Sequence, residues 1–330
     1  MGKKSKRGSG PRPGSDRAQR VEARKARQVA SLAPPRRPFA GLAAECDLVA
    51  LRSFVASATA RLELIEPGPP EPVLTSALPA DNPSRPAAAP GTRNDVTLAT
   101  ILPSAVAGLV RESQGAPEGL VALQTEPEPV ELNQALAAAI SWAAHAAPGQ
   151  EYRGGELDAD AATLDTVLKA DASLSIVVHN DFTWWFAPGA EVPAELGPLL
   201  DRANDTVLPS ARLHPETGTG APWWVNAGER AHLRWVRPES EDELMNALAR
   251  LHATGRLTLG AGSRFAGSFR THGLLVPVFD LDNEFHHEHW YPALDQLDAW
   301  LGEALTHTGE LSIAERSSRD GIRGRQVTLR

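Results

Sequence analysis

Cysteine is nearly absent from this 330-residue chain, where Cys46 stands alone. A single thiol excludes an intrachain disulfide framework and any zinc or iron–sulfur site built on several cysteines. Tyrosine is almost as scarce, and neither Tyr152 nor Tyr291 lies in a recognisable tyrosine-nucleophile region. No apolar run reaches the roughly 18 residues of a spanning helix. The nearest approach, 135–147, is mostly alanine and contains Ser141, Trp142 and His145. No apolar h-region follows the charged start, which argues against a secretory signal. There is no G-x-x-x-x-G-K-[ST] phosphate loop and no G-x-S-x-G nucleophile elbow, so a P-loop NTPase and a standard α/β-hydrolase are disfavoured. No cofactor is expected.

What the chain does have is charge of one sign gathered at one end. Residues 1–37 hold twelve Lys or Arg against Asp16 and Glu22, a net +10. The remainder holds 21 basic and 39 acidic residues, a net −18. Four of the five lysines (Lys3, Lys4, Lys6, Lys25) lie in this segment, and only Lys169 lies beyond it. A polycationic arm on an anionic body suggests an arm that meets nucleic acid, an anionic surface or the chain's own body. The candidate contacts are Lys3, Lys4, Lys6, Arg7, Arg12, Arg17, Arg20, Arg24, Lys25 and Arg27. The acidic body itself is a poor DNA-binding surface, since phosphate contacts need clustered Lys and Arg. The overall balance of −8 and a pI near 5.7 suit a soluble cytoplasmic protein.

Composition divides the chain. Residues 1–37 read as a basic disordered arm, small and Gly/Pro-rich at first, with a marginal solvated helix over about 16–32. Within 38–66, Leu48, Leu51, Val55, Ala58 and Leu62 recur at helical spacing and predict a docking helix over about 42–62. Residues 67–94 hold eight prolines among Ala, Ser and Gly, the composition of an extended linker. The body, 95–330, reads as strand pairs each followed by a helix. Asn180-Asp181, Ala227-Gly228-Glu229 and His272-Gly273 mark hairpin turns. Ser240…Glu243 and Ser312…Glu315 are capping boxes that open helices. The fold class is therefore α+β, with antiparallel sheet built from recurring ββα units and helices packed on it. The recurrence, with Trp184-Trp185 echoed by Trp223-Trp224, suggests two similar lobes dividing near 208–222.

Side chains able to carry chemistry concentrate in 262–291. Asp280, Asp282, Glu284, His286, His287, Glu288 and His289 crowd one connection, and His286, His287 and His289 are the candidate metal ligands. The competing reading is a solvated loop whose acids favour the first turn of the following helix. Gly260-Ala-Gly262 precedes a strand rather than a helix, so it reads as a turn. Arg264 and Arg270 would form an anion pocket beside it. Cys46 falls beside the apolar face of its helix and reads as structural. His179-Asn180-Asp181 reads as turn chemistry. For the tryptophans the choice lies between burial under helices and an outward aromatic face for another protein. No residue is assigned as catalytic.

Several stretches carry a family resemblance: RPFAGLAAECDLVALRSFVASATA (37–60), DVTLATILP (95–103), ERAHLRWVRPESEDELMNALARLHA (229–253), GSRFAGSFRTHGLLVPVFDL (262–281) and the terminal RQVTLR. They resemble an actinobacterial family whose central domain has no assigned function and whose members start with a KKSKR-like segment. Labels such as SecA-like preprotein translocase subunit or topoisomerase attach to such proteins. The sequence supports neither, lacking the phosphate loop, the cysteine-rich zinc motif and a tyrosine-nucleophile region. The resemblance supplies no catalytic residues. The expectation is a cytoplasmic, non-enzymatic interaction or adaptor protein whose arm contacts nucleic acid, the ribosome or another anionic partner, with a further protein partner possible. The alternative is an enzyme or metal-binding protein using 262–291.

Overall fold

The computed structural model describes residues 37–65, 93–158, 160–190, 192–216 and 218–328. Two six-stranded sheets dominate them. The first contains β1 (Ala58–Glu63), β2 (Asp95–Ile101), β3 (Gly108–Ser113), β4 (Ala116–Gln124), β5 (Glu151–Tyr152) and β6 (Ser175–Val178), in the order β5-β3-β4-β2-β1-β6. Only β2 and β4 run parallel. The second contains β7 (Ser210–Arg212), β8 (Ala221–Asn226), β9 (Ala231–Val236), β10 (Ser263–Thr271), β11 (Leu274–Leu281) and β12 (Gln326–Thr328), in the order β12-β10-β11-β9-β8-β7. Here only β12 runs parallel to its neighbour, β10. Short helices α3 (Leu164–Val167) and α4 (Gly197–Asn204) precede β6 and β7 in the chain, and with the helices below the architecture is α+β.

Local signals account for much of the second sheet. His272 and Gly273 both have positive φ (46° and 77°), the backbone of a two-residue type I′ turn, and they join β10 to β11. Gly228 (φ 90°) lies in the β8–β9 turn. Helix α5 (Glu241–Ala253) starts where Ser240 Oγ accepts from the Glu243 backbone N–H, and it buries Leu244, Leu248 and Leu251 on β9 and β11. Helices α6 (Tyr291–Thr306) and α7 (Ile313–Arg323) complete that layer, and the capping box Ser312…Glu315 opens α7. Trp224, Trp235, Leu275 and Phe279 pack under these helices.

The opposite face of the second sheet is buried too, but by different elements. Helix α1 (Glu45–Ser53) lies against β4 of the first sheet and against β8 and β9 of the second. It buries Cys46, Leu48, Val49, Ala50 and Leu51, residues that circle the helix, as expected of an element enclosed on all sides. Trp223, Val236, Leu274 and Val276 meet it from the second sheet; Leu98, Val121 and Leu123 meet it from the first, along with α2 (Leu132–His145). Helix α1 thus joins the sheets through one continuous core.

Two local readings change. The chain leaves the helix at Ser53, and 58–63 forms strand β1, paired with β2 and β6. Ala58 and Leu62 are four apart, a spacing that keeps one face in a helix and also in a strand. Ala60, buried between them, and exposed Arg61 and Glu63 make the observed period two. Residues 182–186 form no strand either. Asp181 accepts from the Thr183 N–H (2.9 Å) and hydroxyl (2.7 Å), winding Thr183–Trp185 into a 3-10 turn over the outer face of the first sheet.

Candidate functional site

Polar side chains from three separate segments meet in a cleft of about 540 Å³ between the sheets. Its walls are Arg52 and Ser53 at the end of α1, Gln124, Thr125 and Glu128 after β4, and Thr271 and His272 at the β10–β11 turn. Arg52 is held by the Leu123 carbonyl and pairs with Glu128. The Arg52 side chain is 7% exposed and that of Glu128 70%, so the cation is fixed and its carboxylate partner stands in solvent. Gln124 Nε2 donates to the Arg52 carbonyl (3.1 Å), covering a helix-terminal acceptor. The Ser53 and Thr271 hydroxyls lie 3.1 Å apart. Burial, then the neighbouring Arg52 charge, lowers the His272 pKa, so the imidazole is neutral at pH 7. A second cleft, about 460 Å³, is mainly apolar and runs between α2 and the 152–158 segment, with Leu136, Ala139 and buried Tyr152 in its wall.

The histidine-rich connection is only partly assembled. His286, His287 and Glu288 bring one ligand atom each to within 4.8 Å of one another. His289 does not join them; its ring stacks on Phe285 at 4.2 Å. His286 and Glu288 are exposed, and the three possible ligands are consecutive, at the N-cap and first two positions of one short 3-10 turn, His287–Trp290. Such a group could hold a divalent ion with open positions left for water.

Arg264 and Arg270 are not brought together. Arg264 faces Asp280 across the ladder, Arg270 faces Leu275, and the register shifts between Phe265 and Gly267. The extra residue of that bulge turns the two arginines to opposite faces of the sheet. Arg264 pairs with Asp280 at 2.5 Å, and Arg270 pairs with Glu241. Asp280 also lies 3.2 Å from His232 Nδ1 and 3.8 Å from Arg230. Burial and then Arg234 hold the His232 pKa down against the pull of Asp280.

The remaining candidates are packed into the fold or lie outside the described residues. Cys46 is buried and its thiol is pushed up to about 12, chiefly by burial, which leaves no thiolate for nucleophilic work. His179 accepts or donates at Thr59 Oγ1 (2.9 Å) and stacks on Trp184. Trp184 and Trp185 donate to Ser57 Oγ (2.8 Å) and the Ile101 carbonyl (3.0 Å). Trp223, Trp224 and Trp235 are buried. Lys3, Lys4, Lys6, Arg7, Arg12, Arg17, Arg20, Arg24, Lys25 and Arg27 lie outside the described residues, as does nearly all of 67–94. Sequence reading missed Arg52, Glu128 and Thr271, which no motif connects. Its one available signal was His272, a histidine where a type I′ turn favours Asn, Asp or Gly.

Among the described residues no helix is long and apolar enough to cross a membrane. No curated protein and no solved structure matches the chain. A family of unknown function, DUF5926, matches it over residues 38–86 and 85–330. With nearly the whole of the folded region matched, the chain belongs to that family.

Proposed function

We infer that this chain is a cytoplasmic, non-enzymatic interaction protein whose basic segment, residues 1–37, contacts nucleic acid, free or within the ribosome. The observation that carries this is the charge partition, +10 in that segment against −18 in the rest. The folded region supports it by offering few idle cations. Arg61, Arg111, Arg212, Arg237 and Arg323 are each paired with a carboxylate, and Arg93 donates to the Ala143 and Ala146 carbonyls. Phosphate neutralisation therefore falls to the arm. The test replaces the ten Lys and Arg from Lys3 to Arg27 with Gln in the full chain. The native protein binds a random RNA oligonucleotide, with log affinity falling by about 0.7 per phosphate contact for each tenfold rise in salt. The substituted protein loses that binding. Equal binding by the two proteins at low salt would overturn the reading.

A second reading is a metal-binding protein or enzyme using 262–291. It rests on the convergence of His286, His287 and Glu288. Stoichiometric zinc surviving dialysis, together with a melting temperature that falls on chelation, would favour it. A melting temperature unmoved by chelator favours the interaction protein.

A further inference from the structure

We propose that the cleft between the sheets is a binding site for a small oxyanion, a carboxylate or phosphate group, anchored by Arg52. Arg52 is nine-tenths buried and immobilised by the Leu123 carbonyl, so its remaining N–H groups are aimed at a fixed point. What occupies that point is a carboxylate, that of Glu128, which reaches in from an exposed position on the neighbouring loop. Glu128 thus stands where the oxyanion of a ligand would sit, and releasing it to solvent costs little because it is already largely hydrated.

The rest of the wall is rich in donors. Of the paired hydroxyls of Ser53 and Thr271, one donates to the other and the second is free to turn toward an acceptor, and His272 offers a neutral imidazole N–H. The end of a helix normally repels anions through its free carbonyls. Here that repulsion is reduced, because Gln124 caps the Arg52 carbonyl and the Phe54 and Val55 N–H groups both bond to the Ala50 carbonyl. The backbone at His272 points the same way. A non-glycine residue at φ 46° carries strain, and a histidine there presents its side chain to the cleft. The volume, about 540 Å³, suits a metabolite-sized ligand.

The test is isothermal titration of the full-length chain with inorganic phosphate and, separately, with acetate and citrate. The arm is unchanged in every protein compared, so differences between variants report the cleft. Glu128→Gln removes the internal competitor and tightens binding a few-fold, while His272→Asn, which the turn accepts, weakens it several-fold. Arg52→Gln abolishes it. If Arg52→Gln fails to fold, having lost the Leu123 bond, the other two variants decide, since neither side chain bonds a backbone group among the described residues. Preference for phosphate over the carboxylates, or the reverse, identifies the ligand's head group. Identical binding by the native, Glu128→Gln and His272→Asn proteins, or no binding by any of them at millimolar ligand, overturns the proposal.

Discussion

Asp47 on α1 and Arg212 on β7 form a two-pronged ion pair, with Nε to Oδ1 at 2.6 Å and Nη2 to Oδ2 at 3.3 Å. Both side chains are mostly buried, and 165 residues separate them. The pair ties the joining helix to the edge of the second sheet. Asp47→Ala removes the carboxylate but leaves the guanidinium bonded to the Leu213 and Gly220 carbonyls. The expected loss is about 2–3 kcal/mol, that of hydrogen bonds to a charged group whose cation keeps two carbonyl acceptors. Urea unfolding of the full chain measures it, and an unchanged midpoint would mean the pair contributes nothing.

A larger loss is expected at Leu51. It is 1% exposed and lies in the core shared by both sheets. Leu51→Asp places an unpaired carboxylate there and should cost about 3–5 kcal/mol. Because α1 touches both sheets, one cooperative transition should shift as a whole. If only part of the fluorescence change moves, the sheets unfold separately.

Two glycines with similar backbone should respond differently to alanine. Gly220 (φ 73°) sits where an added Cβ would collide with the Val236 carbonyl, and Gly228 (φ 90°) faces open space. Gly228→Ala carries only the left-handed strain, about 1 kcal/mol. Gly220→Ala adds a backbone clash and should cost about 3 kcal/mol. Thermal midpoints of the two variants compared side by side would check the difference, and equal midpoints would contradict it.

Acid should weaken the fold well before carboxylates titrate. Burial is the leading cause of lowered pKa at His179, His214, His232, His272 and His287. Between each folded value and the unfolded value near about 6.5, the unfolded chain binds more protons, so stability rises with pH. It therefore falls as pH drops below about 6.5 and levels off once the folded-state values are passed. Urea midpoints taken from about pH 7.5 down to about pH 5.5 should decline, less steeply in His272→Asn. A flat profile over that range would refute the assignment.

Short-range chemistry was legible from the amino-acid order. The His272-Gly273 turn, the N-cap at Ser240, the capping box at Ser312, the apolar stripe of α5 and the α+β class follow from interactions spanning a few residues, where the chain has little choice; at Ser240 only half of the expected box forms, since Glu243 accepts from the Ser240 hydroxyl rather than from its backbone N–H. The charge partition likewise needs no structure. Tertiary structure decided what local pattern left open. The spacing of Ala58 and Leu62 satisfies helix and strand alike, and pairing with β2 and β6 chose the strand. Arg264 and Arg270, six apart, would share a face in a regular strand; a bulge between Phe265 and Gly267 separates them. The cleft lined by Arg52, Glu128 and His272 had no sequence signature, because its members come from segments brought together only when α1 is enclosed between two sheets. Local order follows from contacts a residue makes with its neighbours; a site built from remote segments follows from which apolar faces find one another in the core.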